Sequence, residues 1–270
     1  MQIPIGLLAV VGAALVAGWL GLRVKPQPFP PYPEPTPPLR TVPLPPDLPP
    51  PVARFYRTII GNQIPVIESA VLTLSGHLRF AGITFPARLR FTHDAGKGYR
   101  HYIEATVFGF PLLKVNEWYL DGRSRLELPV GVVENDPKVN QGANLGVWGE
   151  SLWLPAIFIT DPRVRWEPLD DHHARLVVPF GEEEESFTAT FDPQSGLLTR
   201  MEAMRWKGAE SKEKTRWIVE VRGWETAHGI KIPSPAAVTW EDEGTPWLVV
   251  RADDVAYNVD VTAYIRARGL

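Results

Sequence analysis

No cysteine occurs anywhere in the 270 residues. That absence excludes a disulfide framework, a thiolate metal site, a cysteine nucleophile and a lipid attached through an N-terminal cysteine. An excess of positive charge is missing as well. With 28 Lys and Arg against 31 Asp and Glu the net charge is −3, so no nucleic-acid partner is expected. No glycine repeat accompanies the 28 prolines, which rules out collagen. Neither an internal repeat nor a second break in composition divides the long C-terminal part of the chain.

Motifs that carry catalysis are also lacking. The six histidines include no His-Glu-x-x-His pair. His77, His93 and His101 fall in or beside strand patterns and read as surface or hydrogen-bonded histidines. His172-His173 beside Asp170-Asp171 offers imidazoles and carboxylates to a divalent metal. Adjacent histidines on a turn point apart, however, and an Asp-rich turn explains them without an ion. Gly149-Glu150-Ser151-Leu152-Trp153 approaches a nucleophile elbow but lacks its second glycine and the strand ahead of it. Gly142, Gly146 and Gly149 have no βαβ context that would make them a nucleotide loop. The acidic run Glu182 to Glu185 reads as a solvated loop that discourages edge pairing. The expectation is a protein that is not an enzyme, with no catalytic residue, no metal and no cofactor.

What is present divides into three parts. Residues 1–23 hold the uncharged run Ile3 to Leu22, twenty residues that would span about 30 Å as a helix, the thickness of a bilayer's hydrocarbon core. It is read as a single transmembrane anchor, with Trp19 near its end suited to the interfacial belt. A cleaved signal peptide ending near Leu15-Val16-Ala17 is the competing reading, opposed by the length of the apolar run and the lack of Lys or Arg ahead of it. Arg23 and Lys25 follow the run and by the charge rule alone would keep the rest of the chain in the cytoplasm. Residues 24–51 form the second part, and fourteen of the 28 prolines lie between Pro26 and Pro51. Such a stretch predicts an extended polyproline II spacer of up to ~80 Å that holds a domain away from the bilayer.

Residues 52–270 carry a globular composition. Val52, Phe55, Tyr56 and Ile59 at i, i+3, i+4 and i+7 predict a short helix that Gly61 stops. Beyond it the apolar period drops to two, as in Leu72, Leu74 and Leu78, or Ile103, Ala105 and Val107, which predicts strands with one buried face. Asp121-Gly122 and His228-Gly229 mark hairpins. Roughly ten hairpin-connected strands predict a strongly curved antiparallel sheet or open barrel. Gly142 to Phe158 differs: Leu145, Trp148, Leu152 and Trp153 have helical spacing, and a helix inserted in a meander belongs across one face of the sheet. Nine of the ten tryptophans lie in this body, and a concave face would be lined by some of them.

Several segments together are similar to a known family. They are Pro51-Val52-Ala53-Arg54-Phe55-Tyr56, Tyr119-Leu120-Asp121-Gly122-Arg123, Trp153-Leu154-Pro155, Val164-Arg165-Trp166-Glu167-Pro168 and Gly229-Ile230-Lys231-Ile232-Pro233. From Leu48 to about Tyr257 the chain resembles the bacterial DUF6544 family, which is related in fold to the periplasmic lipoprotein carriers LolA and LolB and to LppX. The resemblance implies a mainly β, U-shaped antiparallel half-barrel with a helix over its concave face, a site that takes acyl chains in the better understood relatives. It also implies a domain outside the cytoplasm. Two departures stand out: there is no lipobox cysteine, and an apolar segment with a spacer precedes the domain. The expected function is a membrane-tethered domain that binds a lipid or another apolar molecule, with Trp118, Trp148, Leu152, Trp153 and Phe158 as candidate liners. The alternative is an envelope interaction module whose cavity is packed shut.

Overall fold

The computed structural model describes residues 5–270. Helix α1 (Ile5–Gly21) precedes the proline-rich segment, strand β1 (Thr41–Pro43), helix α2 (Pro50–Ile59) and strand β2 (Gln63–Pro65), which pairs with β1. A first run of strands follows: β3 (Ser69–Phe80), β4 (Ile83–Asp94), β5 (Gly98–Val107), β6 (Phe110–Leu120), β7 (Arg123–Leu128) and β8 (Gly131–Glu134). Helix α3 (Pro137–Glu150), a tight turn at Ser151–Trp153 and helix α4 (Ile157–Thr160) lead to β9 (Arg165–Pro168). The second run continues with β10 (His173–Phe180), β11 (Glu183–Phe191), β12 (Leu198–Arg205), β13 (Thr215–Val221), β14 (Trp224–Ala227), β15 (Ile230–Pro233), β16 (Ala236–Trp240) and β17 (Leu248–Tyr257).

Thirteen strands form one antiparallel sheet in the order β8-β7-β6-β5-β4-β3-β17-β16-β13-β12-β11-β10-β9, while β14 and β15 pair as a separate hairpin. Two meanders are thus joined where β3 meets β17. That order puts β8 and β9, consecutive in the chain, on opposite edges. Helix α3 bridges them across the concave face and touches β5, β6 and β7 on one arm and β10 and β12 on the other. A single straight helix reaches both arms only because the sheet is curved. Register slips beside Thr106, Phe191 and Asp253 bend the strands. Gly76 allows the closest approach at the seam, since a Cβ there would stand 1.9 Å from the Val249 carbonyl oxygen.

Local signals explain most of these elements. In α2, Val52, Phe55, Tyr56 and Ile59 are buried as their spacing predicts, and Gly61 leaves the helix at φ +100°. Asp121-Gly122 and His228-Gly229 turn with positive φ at both residues, as two-residue hairpins require, and so do Ala81-Gly82 and Phe108-Gly109. Helix α3 starts before the predicted Gly142, because the Asp136 carboxylate caps it by accepting from the backbone N–H groups of Lys138 and Val139 beside Pro137. The main sheet holds thirteen strands rather than the roughly ten expected; short edge strands such as β8 and β9 carry too few alternating residues to stand out in the sequence.

Two expectations for the N-terminal part find no support in the structure. The predicted span began at Ile3, and residues 1–4 lie outside the described residues. Helix α1 has 17 residues, about 25 Å, and among the described residues no helix is long and apolar enough to cross a membrane. Its last residue is tied to the domain, because the Phe108 N–H donates to the Gly21 carbonyl at 2.8 Å.

The proline-rich segment is not a free spacer either. Phe29 is 4% exposed and stacks on Tyr102, and the Arg88 and Arg90 guanidinium groups donate to the carbonyls of Gln27 and Pro30. Farther along, the Tyr32 hydroxyl donates to the Asp260 carbonyl, and the Tyr257 N–H donates to Thr36 Oγ1. Proline removes backbone donors but leaves carbonyls and ring faces free. A segment with such groups straps onto a sheet through side-chain donors that the sheet supplies.

Candidate functional site

A cavity of about 390 Å³ lies between the concave face and α3. The space is not packed shut, as the alternative reading required. Three glycines seat the helix over it. A Cβ at Gly146 would come within 3.3 Å of the Tyr99 ring, and one at Gly149 within 2.7 Å of Trp217. Gly142 makes the same close approach beside Arg205. The stretch after the helix is pinned by buried hydrogen bonds: Trp153 Nε1 donates to the Pro233 carbonyl at 2.9 Å, and the Tyr257 and Tyr56 hydroxyls donate to the Trp153 and Pro155 carbonyls at 2.7 Å each.

The cavity wall grades from apolar to polar along one hairpin. In the pairing of β5 with β6, Ala105 faces Leu113, Ile103 faces Val115, His101 faces Glu117 and Tyr99 faces Tyr119. The first of these pairs lies nearest the Phe108-Gly109 tip, and the tyrosine pair lies farthest from it. On the other arm Trp217, Val219, Val238, Trp240 and Trp247 line the space. Arg205 enters there with its guanidinium 4.4 Å from the Trp217 ring and 5.7 Å from that of Trp240, and its Nε is buried without a hydrogen-bond partner. Burial pulls the Arg205 guanidinium below its usual pKa.

The polar end is built from four elements, β4, β5, β6 and α3. His101, sandwiched between Phe91 and Tyr99, meets the Glu150 carboxylate from the end of α3, with 2.7 Å between Nε2 and Oε2. His93 Nε2 stands 3.3 Å from the same oxygen but makes no hydrogen bond. The Tyr99 hydroxyl donates to Glu117. Burial by itself would raise the Glu150 carboxyl; the charge and hydrogen bond of His101, with His93 adding to them, outweigh it and bring the group down to about 2. Burial also holds the His93 imidazole toward its neutral form, and burial together with Glu117 pushes the Tyr99 phenol up.

Of the five residues expected to line the concavity, Leu152 and Trp153 do so. Trp118 faces outward, half-buried beneath Arg125, because Glu117 and Tyr119 on either side of it point inward and successive strand residues alternate. Trp148 and Phe158 are buried elsewhere in the core, Trp148 toward Gly96 and Phe158 edge-on against Trp166. The polar end was absent from the sequence-based expectations, which assigned His93 and His101 no shared role. A partial signal exists: the turn at Asp94-Ala95-Gly96-Lys97 sets a register that puts both imidazoles on one face. Glu150 joins them through a contact 49 residues away from His101, which no local pattern carries. The Asp-rich turn is as expected, with the Asp170 carboxylate accepting from the backbone of His172 and His173.

A family of unknown function, DUF6544, matches residues 39–252. The chain belongs to the DUF6544 family. A comparison with curated proteins finds no match for this DUF6544 member. Solved structures similar to it include a putative outer membrane lipoprotein-sorting protein domain from Vibrio parahaemolyticus, at 13% identity over 79% of this chain and 92% of that one, TM-score 0.44. A DUF1329 family protein from Desulfovibrio piger has 13% identity over 74% of this chain and 90% of that one, TM-score 0.45. A LolA superfamily protein from Nitrosomonas europaea has 11% identity over 74% and 90%, TM-score 0.44.

Proposed function

We propose that this DUF6544 member binds one lipid-like amphiphile in the cavity beneath α3, apolar chain against the aliphatic and tryptophan walls and anionic head toward Arg205. The observation that carries the reading is the cavity itself. Its volume falls within the range of small-molecule sites, about 300–1,000 Å³, and its walls are mostly apolar with a few convergent polar groups. A guanidinium that rests on aromatic rings without a paired Nε supports an anionic head.

The surroundings of the cavity favour a membrane as the source of that ligand. Phe80, Leu128 and Pro129 line it near the hairpin tips, and these tips carry exposed apolar side chains: Ile83, Phe108, Phe110, Leu112 and Val130, with Phe110 76% exposed. Phe108 holds φ +53°, a position where a bulky residue is costly. Helix α1 ends on the same tip and leaves Leu15, Val16 and Trp19 exposed. Such a rim fits a lipid surface.

Solvent extraction of the purified full chain, followed by mass spectrometry, tests the reading. An amphiphile recovered at about one per chain supports it. Repeated preparations that yield none, from protein that also refuses added fatty acid, would sink it.

A further inference from the structure

The polar end of the cavity brings together groups for which the amphiphile reading has no use. Two imidazoles and one carboxylate, from adjacent strands and the end of α3, each place a donor atom within 4.8 Å of the others. Among the described residues this is the one group of three such side chains. Donors bound at about 2.0–2.2 Å to one ion stand ~3–3.5 Å apart. Glu150 Oε2 is 2.7 Å from His101 Nε2 and 3.3 Å from His93 Nε2, close to that spacing.

Hydrogen bonds within the cluster leave it incomplete. His93 is 1% exposed, and its Nε2, 3.3 Å from Glu150 Oε2, makes no hydrogen bond to it. A buried nitrogen left in this way is free to take a ligand. The other imidazole, His101, is held in place with its ring clamped between Phe91 and Tyr99. Its Nδ1 faces Glu117 Oε2 at 3.9 Å, so a carboxylate stands behind the imidazole.

We propose that His93, His101 and Glu150 form a binding site for a divalent transition-metal ion. Two nitrogens and one oxygen select a borderline ion such as zinc over magnesium or calcium, which take oxygen ligands. His101 and Glu150 line the cavity, so the ion sits in its wall and is reached through it.

The test uses the full chain, prepared without a histidine tag and stripped with a chelator. Zinc is titrated in against a chromophoric competitor, and bound metal is counted after desalting. One equivalent binds, and His101→Gln and Glu150→Gln each weaken binding by about tenfold or more. His173→Gln, which alters the exposed pair with Asp170, leaves the affinity unchanged. Thermal unfolding of each variant separates a lost ligand from a lost fold. If a variant does not fold, cobalt(II) added to the wild type supplies the second readout, since the visible bands of nitrogen-ligated cobalt are expected and those of the free hydrated ion overturn the site. Failure of the wild type to bind one equivalent, wild-type affinity in both cavity variants, or a loss confined to His173→Gln also overturns it. None of these outcomes depends on whether the cavity holds an amphiphile.

Discussion

Arg205 lies on the rings of Trp217 and Trp240 with its Nε unpaired, which makes it the side chain that decides between a charged and an uncharged ligand. Arg205→Met keeps the length and the contact with the rings and removes the charge. It is expected to weaken a fatty acid by about tenfold and to leave an uncharged apolar probe within about twofold, measured by equilibrium titration. Asp161 gives the corresponding test of stability. Its carboxylate accepts from the Arg163 backbone N–H and Nε at 2.9 Å each, and Arg163 also donates to the Gly96 carbonyl, tying the β4–β5 turn to the end of α4. Burial raises this carboxyl, but the Arg163 hydrogen bonds outweigh it and hold the group below its ordinary 3.8. A depressed carboxyl contributes stability in full above its unfolded pKa and loses it as the pH falls through the folded one. Asp161→Asn is therefore expected to cost about 1–2 kcal/mol in urea unfolding at pH 7, with the gap closing as the pH drops below 3.8.

At the scale of elements, the seam between β3 and β17 holds the two meanders together, and Gly76 sits where no side chain fits. Gly76→Ala is expected to destabilise the protein by about 3 kcal/mol or more, since the obstacle is backbone and cannot swing aside. Gly208→Ala, with open space around it, is the control and should stay within about 0.5 kcal/mol. The same contrast explains what could be read in the sequence. Helix α2, the Asp121-Gly122 turn and a helix near Trp148 were legible because a periodicity or a turn residue announces each locally. The seam was not, because Gly76 is required by Val249, 173 positions away. Trp118 misled for a related reason: aromatic content is visible in sequence, whereas the side of the sheet is set by register. Glu150 left one faint sign, an acid in the last turn of a helix, where the helix dipole disfavours negative charge unless a partner offsets it. The strap from Phe29 to Thr36 left none, since proline content reports missing backbone donors and not missing contacts.

For the molecule as a whole, sheet order, bridging helix and hairpin tips produce one object: an open cavity with a polar end and an apolar rim. The rim belongs to the functional reading as much as the cavity does. Phe110→Ser combined with Leu112→Ser is expected to reduce association with lipid vesicles by about tenfold or more in a flotation assay, while ligand affinity in solution stays unchanged. The central claim is that the space beneath α3 is a binding site and not a packing defect. The most direct measurement is titration of the delipidated full chain with a fluorescent fatty acid, read by energy transfer from the tryptophans in the wall, in the wild type and in Val115→Trp, which places an indole in the cavity. Saturable binding of one probe per chain, abolished in a Val115→Trp protein that still unfolds cooperatively, is the predicted result. Absence of saturable binding, or the same affinity with the cavity filled, contradicts the account.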